Sequence, residues 1–278
     1  MSELWSDLLD CLDLRRSPLT DRPDPDEHAT AVTVFEGSNQ HLDYHRLFGG
    51  QILGQFVRSA ELACPSKHIK SLHALFAREG RAEEPVRYEV TCLHEGRSFA
   101  TLSVVARQSS RVVATASVSM HAAEDGPDHQ TVAEVPPVLT PEYRVNMELI
   151  PWEIRSTTDL NSTAPAAPES DLWMRTPPVA PELAPALTAY ATDLSLIGTA
   201  LRPLEGLSQL GNGTAFTSAV TSHNLWFHRP FRTDNWLLLR QHSPLVAHGR
   251  CFGRGDVLTE SGDLVASYAQ EALLRLPS

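Results

Sequence analysis

The sequence predicts an α+β protein built from two like halves, each packing one helix against an antiparallel sheet. Three observations lead there. The order of elements, a short strand, a helix and then several strands ending in a long apolar one, occurs twice. Short motifs recur between the halves at nearly constant spacing: His73-Ala74-Leu75-Phe76 with His223-Asn224-Leu225-Trp226, 150 residues apart, and Val112-Val113-Ala114-Thr115-Ala116 with Leu264-Val265-Ala266-Ser267-Tyr268, 152 apart. The strands alternate apolar and polar residues with a period of two, as antiparallel sheets with one covered face do.

In chain order, the first helix follows Gly49-Gly50, with Leu53, Phe56, Val57, Ala60 and Cys64 at helical spacing. In the strands behind it, Val86, Tyr88, Val90 and Cys92 form one apolar row, and Val112, Ala114, Ala116, Val118 and Met120 another. The segment from His121 to Pro141 is polar, Pro-rich and aperiodic, so residues 1–122 and 146–278 read as two domains joined by a linker over 123–145. In the second half Leu187, Tyr190, Ala191, Leu194, Ile197 and Leu201 predict one helix closed by Pro203.

With 42% apolar residues the chain can build a substantial core. A net charge of −11, with 23 scattered basic residues, argues against a nucleic-acid partner, since counterion release needs clustered cations. No apolar run reaches the roughly 18 residues of a membrane span, and Glu3, Asp7 and Asp10 spoil a signal peptide, so the cytoplasm is the expected location. The four cysteines form no C-x-x-C pair, and His41 and His45 lack the intervening Glu of a zinc helix. No metal is expected. Gly206-Leu207-Ser208-Gln209-Leu210 lacks the last glycine of a nucleophile elbow, and there is no phosphate-binding loop.

What stands out are polar residues in apolar rows. Asp193 sits about 60° from Tyr190 and about 40° from Ile197 around the predicted helix, within or beside its buried stripe. Such a carboxylate is either used or tied to a neighbouring backbone. Gln270 is the one amide in the row Leu264, Ala266, Tyr268, Gln270, Ala272, Leu274; its bland alternative is a pairing with buried backbone. A hydroxyl on the strand leading to Trp226 is available from Ser218, Thr221 or Ser222, and the spacing does not choose among them.

The chain resembles the acyl-coenzyme A thioesterase II family, bacterial and peroxisomal enzymes of two fused hot-dog domains. The matching stretches are Phe48-Gly49-Gly50-Gln51, Gly96-Arg97-Ser98-Phe99, Asp128-His129-Gln130, Ala191-Thr192-Asp193-Leu194, Trp226-Phe227-His228-Arg229-Pro230-Phe231, Gly253-Arg254-Gly255, and Leu264-Val265-Ala266-Ser267 with Gln270-Glu271. The resemblance implies two hot-dog domains, each a sheet wrapped around a central helix, and hydrolysis of medium- or long-chain fatty acyl-coenzyme A without a cofactor. It further implies a homo-oligomer. The family's Asp and Gln fall on Asp193 and Gln270, which hold and activate a water together with a hydroxyl. Gly49, Gly50 and Gln51 become candidates for substrate binding through backbone N–H groups at the helix start.

Two departures stand beside the match. Counted back from Trp226, the family's hydroxyl position holds Val220, and a one-residue shift brings Thr221 into register, with Ser222 as its competitor. Leu102 and Ser103 replace arginines that often follow the Ser-Phe pair. Arg229-Pro230 and Gly253-Arg254-Gly255 are open to two readings, coenzyme A phosphate contacts or turns and solvated arginines. The rivals are a hot-dog protein that binds acyl-coenzyme A without turnover, which Val220 favours, and a hydratase or dehydratase, against which stands the lack of His on the second helix.

Overall fold

The computed structural model describes residues 3–18, 32–42 and 46–277; His45 lies outside them. The chain divides into two compact units, Met1–Pro127 and Asp128–Ser278. Residues 122–140 form neither helix nor strand. Those beyond the boundary pack within the second unit: Val132, Val135, Val138 and Leu139 lie against Trp173, Leu238 and Leu258, and Arg240 donates to the Ala133 and Glu134 carbonyls.

The first unit comprises α1 (Glu3–Leu12), β1 (Arg15–Ser17), β2 (Val32–Gly37), α2 (Gly49–Ala63), β3 (His68–Phe76), β4 (Val86–Glu95), β5 (Phe99–Gln108) and β6 (Arg111–His121). Its sheet runs β1-β2-β4-β5-β6-β3, antiparallel throughout. Ile52, Leu53, Phe56, Val57 and Ala60 of α2 are buried and face the apolar rows of β4 to β6, where Tyr88 meets Phe56 edge-on at 5.5 Å. Each such large side chain contributes about 1.5–3 kcal/mol. The β4 row holds as expected through Val90, and a register shift between Cys92 and His94 ends it.

The second unit comprises β7 (Arg144–Val145), β8 (Glu153–Arg155), β9 (Glu169–Arg175), α3 (Ala184–Thr192), α4 (Leu196–Leu201), β10 (Thr217–Phe227), β11 (Leu237–Ala247), β12 (Arg250–Thr259) and β13 (Leu264–Arg275). Its antiparallel order is β10-β13-β12-β11-β9-β8-β7. Here one expectation is corrected. The apolar stripe from Leu187 to Leu201 is not one helix: α3 ends at Thr192 and α4 starts at Leu196. Hydroxyl side chains, which can compete with the helix ladder, flank the break. Thr192 Oγ1 lies 3.1 Å from the Ala189 carbonyl and 3.0 Å from His223 Nε2, and Thr199 Oγ1 donates to the Ser195 carbonyl at 3.0 Å. Asp193 is left in the break.

A second correction concerns the repeat. The strand-end motifs match in burial as in sequence: Val113, Ala114 and Ala116 are buried, as are Val265, Ala266 and Tyr268. The His73 and His223 match does not survive. His73 is exposed and Leu72 buried, whereas His223 is wholly buried. Side chains alternate along a strand, so pairing the motifs one residue out of step exchanges the faces. The structural counterpart of His223 is Leu72.

Gly253 and Gly255 of β12 explain their own motif. A Cβ on Gly255 would lie 2.5 Å from Tyr268 Cζ and 2.8 Å from the Arg240 carbonyl, and one on Gly253 would lie 2.5 Å from Leu196 Cδ2. Both glycines make room for inward side chains, and Arg254 between them is exposed. Among the described residues no helix is long and apolar enough to cross a membrane. Gly255→Ala is expected to destabilise the protein by about 1–3 kcal/mol through overpacking, read as a lowered urea midpoint. An unchanged midpoint would show that Tyr268 can move aside freely.

Candidate active site

The break after α3 and the middle of the β10–β13 pair bring the buried polar residues of the second unit together. His223 on β10 stands directly opposite Gln270 on β13. Its Nδ1 lies 2.8 Å from Gln270 Oε1, and its Nε2 lies 3.0 Å from Thr192 Oγ1. A carbonyl oxygen only accepts, so Nδ1 carries the ring hydrogen and Nε2 accepts from Thr192. Burial drives the imidazole pKa down from 6.5 to about 4, against a smaller opposing pull from the Gln270 hydrogen bond. The ring is therefore neutral at pH 7. Tyr268 stacks on it at 6.0 Å, with 13° between the planes.

Asp193 follows Thr192 directly and is 6% exposed. Gln270 is 2% exposed, and its Nε2 is buried without a hydrogen-bond partner among the described residues. Beside Asp193, the residues Ala191, Leu194 and Ser195 help line an apolar cleft with Met147, Ile150, Trp152, Leu172 and Met174. The arrangement sets a buried carboxylate, a buried amide N–H and an apolar pocket in one unit. Among the described residues no three His, Cys, Asp or Glu side chains are grouped to hold a metal ion.

A second polar cluster supports the first from below. Gln241 on β11 donates from Nε2 to Ser195 Oγ at 2.7 Å and to Tyr268 Oη at 2.8 Å, while its Oε1 accepts from Ser170 at 3.1 Å and lies 2.9 Å from Thr199 Oγ1. Ser195, at the start of α4, and Tyr268, against His223, are thereby tied to one amide. Full satisfaction of such a network makes it rigid.

Thr221 does not join this group. It is the extra residue of a bulge, since Val220 pairs with Ala272 and Ser222 with Glu271. Its hydroxyl donates to the Glu271 carbonyl at 3.0 Å and lies 3.3 Å from Glu271 Oε1. A bulge leaves one residue out of the ladder and re-aims its side chain. The hydroxyl that reaches the cluster is that of Thr192, and the histidine is His223. Neither was singled out from sequence as a site residue, although an internal Thr-Asp at a helix break would have been a usable signal.

In the first unit, Gly49 and Gly50 open α2 as expected, after Phe48 in extended conformation. Their N–H groups belong to the helix terminus, the part of a helix suited to negative charge. The Gln51 side chain is committed elsewhere. It accepts from the Gln40 N–H at 3.0 Å and donates to Asn39 Oδ1 at 2.8 Å, in a buried amide network with Gln55, which accepts from Tyr88 at 2.6 Å.

Of the two arginine motifs, that of Arg229 is engaged within the unit. Arg229 pairs with Asp128 and donates to Gln130 Oε1 and the Leu264 carbonyl, both at 2.9 Å. Gln130 in turn accepts from the Leu264 N–H at 3.0 Å and donates to the Gly262 carbonyl at 2.8 Å. Asp128-His129-Gln130 and the Arg229 motif form one clasp.

The neutral buried imidazole sets a pH dependence. Above 6.5 it is neutral folded or unfolded and adds no slope. As the pH falls from 6.5 to about 4 the unfolded chain binds a proton that the folded chain refuses, so stability drops, by about 3 kcal/mol at most. Below that range the slope ends. Urea midpoints from pH 7 to 4 are expected to fall less steeply for His223→Leu than for the wild type; parallel curves would mean the imidazole titrates normally.

Family models for the acyl-CoA thioesterase N-terminal and C-terminal domains match residues 40–121 and 119–274. Acyl-CoA thioesterase 2 of Haemophilus influenzae is 30% identical over 270 residues, 87% of this chain and 92% of that protein. Human acyl-coenzyme A thioesterase 8 is 29% identical over 275 residues, 87% and 85% of the two. The crystal structure of an acyl-CoA thioesterase II from Mycobacterium marinum superimposes with a TM-score of 0.78 at 30% identity, covering 98% and 99% of the chains. A protein with the hot-dog fold from Alicyclobacillus acidocaldarius, 19% identical and covering 98% of each chain, shares the fold with a TM-score of 0.73. With its two hot-dog domains, the chain belongs to the acyl-CoA thioesterase family.

Proposed function

We propose that this protein hydrolyses medium- or long-chain fatty acyl-coenzyme A to the fatty acid and free coenzyme A, with Asp193 as general base. The observation that carries the residue assignment is the pairing of two buried groups in apolar surroundings, the Asp193 carboxylate and the unpartnered Gln270 N–H. Burial of such groups is costly unless they are used. Asp193 takes a proton from water while Gln270 donates to the water oxygen and fixes its orientation. The oxygen attacks the thioester carbonyl, whose own oxygen becomes negative and requires N–H donors. Collapse breaks the carbon–sulfur bond, and the departing thiolate takes up the proton that Asp193 accepted. A thiolate leaves readily, so water attacks directly. The side chains beside Asp193 are mostly apolar, which agrees with an acyl group of hydrocarbon character.

A second reading is favoured by one observation. Counted without a gap from Trp226, the family's hydroxyl position falls on Val220, and the neighbouring Thr221 spends its own hydroxyl on Glu271. A site lacking that third group is the mark expected of a protein that binds acyl-coenzyme A and turns it over slowly or not at all.

Release of free thiol from acyl-coenzyme A substrates of increasing chain length separates the two. Asp193→Asn is expected to lower kcat by about 10²–10⁴ and Thr221→Val by less than about threefold, since its half-buried hydroxyl is bonded to Glu271 and not to the cluster. A large Thr221→Val effect would restore its hydroxyl to the mechanism; binding without thiol release from the wild type would establish the non-catalytic reading. We infer a cytoplasmic homo-oligomer, and light scattering after size exclusion should give a multiple of the 30.6 kDa chain mass; a single-chain mass would exclude it.

A further inference from the structure

The two units carry the same cross-strand position with different chemistry. In the first, Leu72 on β3 stands opposite Val118 on β6, and both are buried. In the second, His223 on β10 stands opposite Gln270 on β13, and both are buried. The fold is therefore satisfied at this place by an apolar pair. A His–Gln pair must be stripped of water to sit there, and the one hydrogen bond between them still leaves Gln270 Nε2 without a partner among the described residues.

What the pair adds is orientation. A primary amide can turn about its last bond and present either a carbonyl or an N–H to the site. The His223 Nδ1–H accepts only one of these faces, because an amide N–H turned towards it would set two donors against each other. The ring is itself held by Thr192 at Nε2 and by the face of Tyr268. We propose that His223 is a positioning residue for the hydrolysis, locking the Gln270 amide so that Nε2–H is the donor offered to the water, and tying that amide through Thr192 to the chain at Asp193. This rests on the Asp193 and Gln270 reading above.

The test is steady-state kinetics with decanoyl-coenzyme A, read as thiol release, for the wild type, His223→Asn, His223→Gln, Gln270→Ala and the His223→Gln/Gln270→Ala double variant. An Asn amide nitrogen overlays the ring Nδ1, and a Gln amide nitrogen overlays Nε2. His223→Asn should thus keep kcat within about threefold, and His223→Gln should lose about 10- to 100-fold in kcat, the cost of a misplaced group, with KM little changed. The double variant should be no slower than Gln270→Ala alone, because the two act as one unit. Equal losses in the Asn and Gln variants, or losses that multiply in the double variant, would overturn the proposal and leave a structural histidine. If Asp193→Asn is inactive but Gln270→Ala is unaffected, the assignment of Gln270 fails and this inference with it; if neither change matters, the hydrolytic reading itself fails. Ring ¹⁵N shifts of the labelled wild-type protein give a check independent of variant folding. The Nδ1-protonated tautomer is expected for His223, and the Nε2-protonated tautomer would overturn the proposal.

Discussion

The second unit is organised around the cost of keeping polar groups out of water. An imidazole with no exposure, an amide at 2% and a carboxylate at 6% lie within a core of Leu, Ala and Tyr side chains, where a lone polar group costs on the order of 1–3 kcal/mol. The unit answers that cost by linking them. His223 spans from Gln270 to Thr192, and Gln241 spans from Ser195 to Tyr268. Both links end on the turn between α3 and α4, so the helix break is held open by the same contacts that orient the amide. The first unit, whose α2 is unbroken over 15 residues, spends its buried amides differently: Gln51 and Gln55 tie the helix to Gln40, Asn39, Ser38 and Cys11. Similar polar residues therefore fasten a helix in one unit and interrupt it in the other.

How much of this was legible follows from which physical signal each feature leaves in sequence. Asp193 and Gln270 were visible because a charge or amide in an apolar row violates the pattern, and the pattern itself is set by periodicity. The duplication was visible for the same reason. His223 was missed because it was paired with His73: a match of four residues looks the same one step out of register, and only burial reveals the exchange of faces. A gap-free count from Trp226 lands on Val220, and Thr221 is favoured only because a one-residue shift brings its hydroxyl into register. The extra residue between Val220 and Ser222 is a backbone event with no side-chain signature. The interruption of the second helix has no sequence signal because the apolar stripe continues across the gap: the break between Thr192 and Leu196 leaves the spacing of Leu187, Tyr190, Leu194 and Leu201 undisturbed.

Several matching motifs changed meaning once placed. Gly253 and Gly255 are glycines because Leu196 and Tyr268 occupy the space of their missing Cβ atoms. Their service to the site is indirect: Tyr268 can lie flat against His223 only if β12 carries no side chain beneath it. Arg229, which sequence left open as a phosphate contact, is instead spent on Asp128, Gln130 and Leu264, closing the start of the second unit onto β13. Much of what such short motifs preserve is thus the geometry around the site.

The valine at position 220 sharpens the consequence for Gln270. A water held by a carboxylate, a hydroxyl and an amide is over-determined, and a loosely held amide would still leave two groups to orient it. In the proposed mechanism, with the gap-free count from Trp226 placing Val220 at the hydroxyl's position and Thr221 committed to Glu271, the carboxylate and the amide are left to fix the water. A carboxylate has two oxygens and fixes direction poorly, so the geometry falls to the amide, which must present N–H and must not turn. That demand is what a histidine, unlike the Leu72 of the first unit, meets: it offers a hydrogen to one face of the amide and is itself held at its far nitrogen. The loss of one group from the site and the burial of another behind it are, on this argument, parts of the same design constraint.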